Sequence, residues 1–204
     1  MPRSVNANLA SPPRGRKVPG SSYVPSTEPL RSGRRSATIL QMRRSRQLKP
    51  LSSEHHHALL VAFQLKQALA GHPESAGAPK DLVGLAGLVR RFAVQVLSTH
   101  TRTEEDVLGS YLAPVDLERL RAEHLQLARL VEATAARTPA EQRAALAAFA
   151  ELLERHVRWE ERELFPYAEG HVDADTLADI GGELERRLVL ARTETRPRGT
   201  TRPS

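Results

Sequence analysis

The chain contains no cysteine. Disulfides, thiolate-bound metals and cysteine nucleophiles are therefore excluded, and any metal must be held by nitrogen and oxygen donors. No uninterrupted apolar run reaches the length of a membrane span. The first residues lack the short apolar stretch of a secretory signal. A soluble, cytoplasmic protein with no membrane partner is expected. No segment sustains the alternation of a strand, so no sheet is expected. Acid is nearly absent from the two ends: residues 1–50 hold eleven Lys and Arg against Glu28, and residues 192–204 hold four Arg against Glu194. Residues 51–191 carry 15 basic and 22 acidic residues, so the overall charge of +6 conceals an acidic body. The Arg-, Ser-, Pro- and Gly-rich segment 1–50 and the tail 192–204 bury too little apolar surface to offset chain entropy, and both are expected to be disordered. Met42 is an alternative start for the chain.

The body reads as helices, in an all-α, antiparallel up-down-up-down four-helix bundle over 51–168. Ser52 or Ser53 is expected to cap the first helix, which runs to Leu69 before Gly71 and Pro73. After a loop at 71–80, Asp81 caps a second helix reaching Tyr111. Asp116 caps a third to Ala136. Thr138, Pro139 and Glu141 spell a capping box for a fourth, which Pro166 ends or kinks after Phe165. A shorter helix over Thr176–Ala191, within a separate segment 169–191, is weakened by Gly181 and Gly182. Short connections between long helices favour antiparallel neighbours. Apolar stripes at Leu59 and Phe63, at Val89, Phe92 and Val96, at Leu120, Leu127 and Val131, and at Phe149, Leu152 and Leu153 point to one shared core.

One pattern, H-x-R-x-E-E-x-x-L-x-x-Y, occurs twice: at His100, Arg102, Glu104, Glu105, Leu108 and Tyr111, and at His156, Arg158, Glu160, Glu161, Leu164 and Tyr167. A histidine and a glutamate four residues apart lie one turn apart on one helix face. His124 lies on the third helix's apolar stripe, between Leu120 and Leu127. On the first helix the register favours His56, with Leu59 and Phe63 three and seven residues on. His55 stays open, because Leu51 and Leu59 flank it and Glu54-His55 matches Glu123-His124. His57 faces outward. Either motif alone is more often a core histidine or a solvated pair; their joint placement on four successive helices is what points to metal. Four imidazoles suit iron, zinc or copper and disfavour calcium or magnesium, and a carboxylate can bridge two ions. Arg102, Arg158, Glu105, Glu161 and Asp106 read as surface residues, Tyr111, Tyr167 and Trp159 as packing, and His72 and His171 as poor ligands.

E-H-H-H-A-L-L at 54–60, H-T-R-T-E-E at 100–105, E-H at 123–124 and H-V-R-W-E-E-R-E-L-F-P at 156–166 together resemble the hemerythrin-like, or HHE cation-binding, family over 51–168. That resemblance implies a non-heme di-iron centre within the bundle, with two iron ions preferred over zinc or manganese. Its ligands would be His56 or His55, His100, Glu104, His124, His156 and Glu160, with Glu104 and Glu160 bridging. Oxygen-carrying members have a second histidine where this chain has Ala128, and a later aspartate in place of Glu160. The chain thus resembles the four-histidine, two-glutamate branch, whose members bind or sense iron, oxygen, nitric oxide or redox state. The expected partner is a small diatomic or oxo ligand at the metal. A di-iron enzyme acting on peroxide or another small oxidant is the competing reading. Binding of nucleic acid by the arginine-rich ends is disfavoured, because the body is acidic and carries no groove-reading motif. The sequence sets no oligomeric state.

Overall fold

The computed structural model describes residues 46–194, which are helical and contain no strand. The disorder expected for 1–45 and 195–204, and the alternative start at Met42, lie outside the described residues. Helix α1 spans Lys49–Leu69, and a short α2 spans Pro73–Ala76. A long rod follows: α3 (Leu82–Phe92), a π-helical turn (Ala93–Leu97), α4 (Ser98–Leu108) and a 3-10 turn (Gly109–Tyr111). Then come α5 (Pro114–Ala133), α6 (Pro139–Trp159), a second π-helical turn (Glu160–Leu164), α7 (Phe165–His171) and α8 (Ala174–Glu194).

Two of the expected caps form. Asp81 accepts a hydrogen bond from the Gly84 N–H at 2.7 Å, and Thr138 accepts from the Glu141 N–H at 3.3 Å while donating to the Glu141 carboxylate at 2.7 Å. Two do not. α1 begins before Ser52, with Pro50 in its first turn, where a missing N–H costs nothing, and Ser53 donates back to the Lys49 carbonyl. α5 likewise starts on Pro114, so Asp116 falls inside the first turn. Pro166 does not end its helix. The Phe165 N–H reaches back five residues to the Glu160 carbonyl, and this widened turn carries the chain past the proline.

α6 packs against α1, α3 and α5, and α4 against α1 and α5. The core divides into two clusters. One joins Val61, Leu65, Val89, Phe92, Leu127, Phe149 and Leu153; the other joins Leu48, Leu51, Leu108, Leu120, Trp159, Phe165, Ile180, Leu184 and Leu188. The second cluster shows that α8 packs on α4 and α1 rather than standing apart. Asp173 caps α8 through the Thr176 N–H. Gly181 lets α8 approach the turn before α1, since a Cβ there would lie 2.9 Å from the Gln47 Cα.

The continuous helical run Leu82–Tyr111 is, by length and by the mean hydropathy of its most apolar 18-residue window (1.3), apolar enough to cross a membrane, although Arg90 and Arg91 interrupt its apolar residues. It also carries buried His100 and Glu104, and its Leu85, Val89, Phe92 and Leu97 join the first cluster.

Candidate metal centre

Six side chains meet between the two clusters: His55 from α1, His100 and Glu104 from α4, His124 from α5, His156 from α6, and Glu160 at the head of the second π turn. All are buried, the two glutamates completely. His56 is not among them; it is exposed. The register that favoured it ran through Phe63, which is 48% exposed. The stripe α1 buries is Leu51, Glu54, His55, Ala58, Val61, Ala62 and Leu65, with steps of three and four residues centred on His55.

The six donors form two groups that share Glu160: His55, His100 and Glu160; and Glu104, His124, His156 and Glu160. The Glu160 Oε2 lies 2.9 Å from the His55 Nε2, and its Oε1 lies 2.7 Å from the His156 Nε2 and 3.8 Å from the His124 Nε2. The Glu104 Oε2 stands 3.4 Å from the His124 Nε2 and 3.8 Å from the His100 Nε2. Each carboxylate thus faces imidazoles of both groups.

The opposite nitrogen of every ring is also engaged. The Nδ1 of His55 contacts Glu161 at 2.6 Å, that of His100 contacts Glu54 at 3.0 Å, that of His124 contacts Glu105 at 2.7 Å, and that of His156 contacts Glu123 at 2.9 Å. A carboxylate only accepts, so each Nδ1 must carry the hydrogen and donate it. The neutral ring then presents the Nε2 lone pair inward. These four glutamates were not identified from the sequence, and Glu105 and Glu161 were read as solvated. The signal was present: each sits directly beside one of the six inner residues, as Glu54-His55, Glu104-Glu105, Glu123-His124 and Glu160-Glu161.

Several observations fit this donor set to cations. Both carboxyl oxygens of Glu104 and of Glu160, and the Nε2 atoms of His124 and His156, are buried without a hydrogen-bond partner, although they stand close together. Such groups are costly to bury unless something satisfies them. The Nε2 atoms of His55 and His100 face each other at 3.2 Å. With both Nδ1 atoms donating outward, two lone pairs meet at that distance, an arrangement that a cation between them relieves.

Protons partly serve in the metal-free protein. Burial disfavours charge on His124, but Glu104 and Glu160 outweigh it and raise the imidazole to about 10. Burial likewise opposes charge on His156, where Glu160 and Glu123 prevail and raise it to about 9. Burial would push the Glu160 carboxyl up, yet the surrounding His156, His124 and His55 hold it well below its usual range. The site is thus a concentrated negative charge that protons or metal ions compensate.

The remaining residues lie outside the cluster. Arg158 pairs with Glu154 at 2.8 Å, and Asp106 pairs with Arg187 of α8, also at 2.8 Å. Trp159 is buried with the Arg119 guanidinium 3.9 Å over its ring. Tyr167 stacks on His171, while Tyr111 is 38% exposed. His57, His72 and Arg102 are exposed. A void of about 10 Å³, lined by His55, His100 and His156 together with Phe92, Val96 and Leu97, adjoins the first group.

A fold that is all-helical among the described residues, with a buried cluster of imidazoles and carboxylates, defines the class: a metal-binding helical domain. The hemerythrin HHE cation binding domain matches the chain over residues 47–168, and the chain belongs to that family. No curated protein and no solved structure matches it.

Proposed function

We propose that the chain is a non-heme di-iron module, built on an up-down-up-down four-helix bundle, that binds or senses iron, oxygen, nitric oxide or redox state. One ion would be held by His55, His100 and Glu160, the other by His124, His156, Glu104 and Glu160, so that Glu160 bridges the two and Glu104 belongs to the second. The observation that carries this reading is the convergence of buried Nε2 and carboxyl oxygen atoms, several without hydrogen-bond partners, in two groups joined by Glu160. Two irons would supply one-electron redox steps and positions for an exogenous ligand. The first group offers three donors against four in the second. An open position belongs on that side, and the small void beside His55 and His100 has room for about one water-sized molecule. The partner is then a diatomic or oxo species. Protein expressed with added iron is expected to carry about two irons per chain, with a near-ultraviolet charge-transfer band that changes on exposure to oxygen, peroxide or nitric oxide. Absence of bound metal after such expression would sink the proposal.

The same void favours one second reading, an enzyme acting on peroxide or another small oxidant, because it lies against the donors and itself admits only a very small molecule. Peroxide turnover above that of a Glu160→Ala variant supports it; equal rates remove it.

A further inference from the structure

The four outer glutamates are arranged in a closed circuit. Glu54 on α1 meets His100 on α4; Glu105 on α4 meets His124 on α5; Glu123 on α5 meets His156 on α6; and Glu161, in the π turn that continues α6, meets His55 back on α1. Every helical arm gives one carboxylate and receives one, and none is skipped. We propose that Glu54, Glu105, Glu123 and Glu161 are positioning residues for the metal centre, each orienting the imidazole presented by the next helix so that all four Nε2 lone pairs converge on the two ions. This rests on the metal-binding reading above.

Three features distinguish the circuit from incidental ion pairing. First, the contacts are specific to one atom: each joins a carboxylate to Nδ1 and leaves Nε2 facing the cluster. That fixes the tautomer a metal ligand needs. Second, each glutamate neighbours an inner residue on its own helix, so a rotation of that helix moves its own donor and the next ring's acceptor together. Third, two members are themselves anchored: Glu123 accepts from Arg119 at 3.1 Å, and Arg121 lies 3.5 Å from Glu105. Hydrogen-bonded carboxylates behind ligating imidazoles raise ligand basicity, and their loss typically weakens metal binding about 10–100-fold.

Glu105 and Glu161 are the members to test, because their partial exposure (28% and 12%) lets a substitution be tolerated. The full-length metal-free protein would be titrated anaerobically with Co(II), which reports its coordination through visible absorption, in competition with a chelator. Glu105→Ala and Glu161→Ala are expected to weaken Co(II) binding about 10–100-fold. Glu105→Gln and Glu161→Gln, whose amide oxygens still accept from Nδ1, should recover most of that loss. Glu118→Gln, at an exposed α5 position, serves as a control that leaves affinity unchanged. A purely structural role would lower the melting temperature of the metal-free variants without moving affinity or the Co(II) spectrum. Alanine variants within twofold of wild type overturn the circuit while leaving the metal-binding reading standing. A wild-type protein that takes up no Co(II) overturns both. Should an alanine variant fail to fold, its glutamine counterpart decides: near-wild-type affinity supports the circuit, and loss as large as that of the wild type's own inner-ligand variants overturns it.

Discussion

Glu160 is the one donor common to both groups, and that makes its substitution quantitatively different from the others. Glu160→Gln keeps the side chain's shape and one oxygen but removes the charge and the second acceptor. The first group falls from three donors to His55 and His100 with a weak amide; the second retains Glu104, His124 and His156. Removing one member of a buried, compensated charge cluster costs about 3–5 kcal/mol. That is roughly two to nearly four powers of ten in affinity. The ion beside His55 and His100 should therefore be lost and the other weakened, so that metal content falls from about two per chain to one or fewer. Glu104→Gln is the informative comparison. Glu104 appears only in the second group, standing 3.4 Å from the His124 Nε2 against 3.8 Å from the His100 Nε2. It should spare the first ion more than Glu160→Gln does. The assay is elemental analysis of each reconstituted protein after challenge with graded chelator, alongside circular dichroism to establish folding. The reasoning is refuted if folded Glu160→Gln protein keeps both ions at wild-type affinity, or if Glu104→Gln empties the centre while Glu160→Gln does not.

His55→Ala should abolish one ion, whereas His56→Ala, at an exposed position, should bind metal as wild type does; equal effects in a metal-content assay would contradict the α1 register. His124 and His156 are raised to about 10 and about 9 from an ordinary 6.5, so in the metal-free protein their contribution is present in full below about 6.5 and lost as pH rises through 9 and 10. The metal-free melting temperature should accordingly fall across pH 7–10, and metal uptake at pH 8 should release protons; a flat profile in calorimetry would contradict this. Gly181→Ala should destabilise by about 1–3 kcal/mol, because its new Cβ meets the Gln47 backbone at 2.9 Å. Gly182→Ala, with nothing within 4 Å, should stabilise by up to ~1 kcal/mol; denaturant melts with the opposite order would show that α8 does not pack on that turn.

The inner site was largely legible because an α-helix repeats its face every three or four residues. His100 with Glu104 and His156 with Glu160 needed only that rule, and His124 needed only its neighbours Leu120 and Leu127, both fully buried. The first helix was harder because three consecutive histidines cover most of a turn, and Leu59 is consistent with either inward residue. Phe63 tipped the choice to His56 on hydrophobicity, yet Phe63 is half exposed and the smaller Ala58 and Ala62 line the interior. Where helices approach closely around a cluster of donors, small residues sit inside and a large one is left outside. The sequence left open whether Pro166 ends or kinks its helix: a proline normally ends one, and the π turn from Glu160 shows how the chain passes it.

The outer carboxylates expose a more general gap between a helical wheel and a packed helix. On a wheel, a residue next to an inward one is rotated by about 100° and so reads as solvent-facing, which is how Glu105 and Glu161 were assigned. In this protein an inner helix has helices on both flanks, and a 100° rotation in either direction points at a neighbour. Residues before the inner histidine, Glu54 on α1 and Glu123 on α5, reach one flank; residues after the inner glutamate, Glu105 on α4 and Glu161 in the π turn, reach the other. Charged side chains at such flanks are costly to desolvate unless a donor meets them, and each here meets the Nδ1 of a histidine on the adjoining helix. The four Glu-His and Glu-Glu dipeptides are therefore better read as pairs, one member aimed at the centre and the other at the inner histidine of the neighbouring helix. The pairing makes a testable distinction within a single helix: Glu104 and Glu105 are adjacent carboxylates, yet only the first should appear as a direct donor in the spectrum of the bound metal.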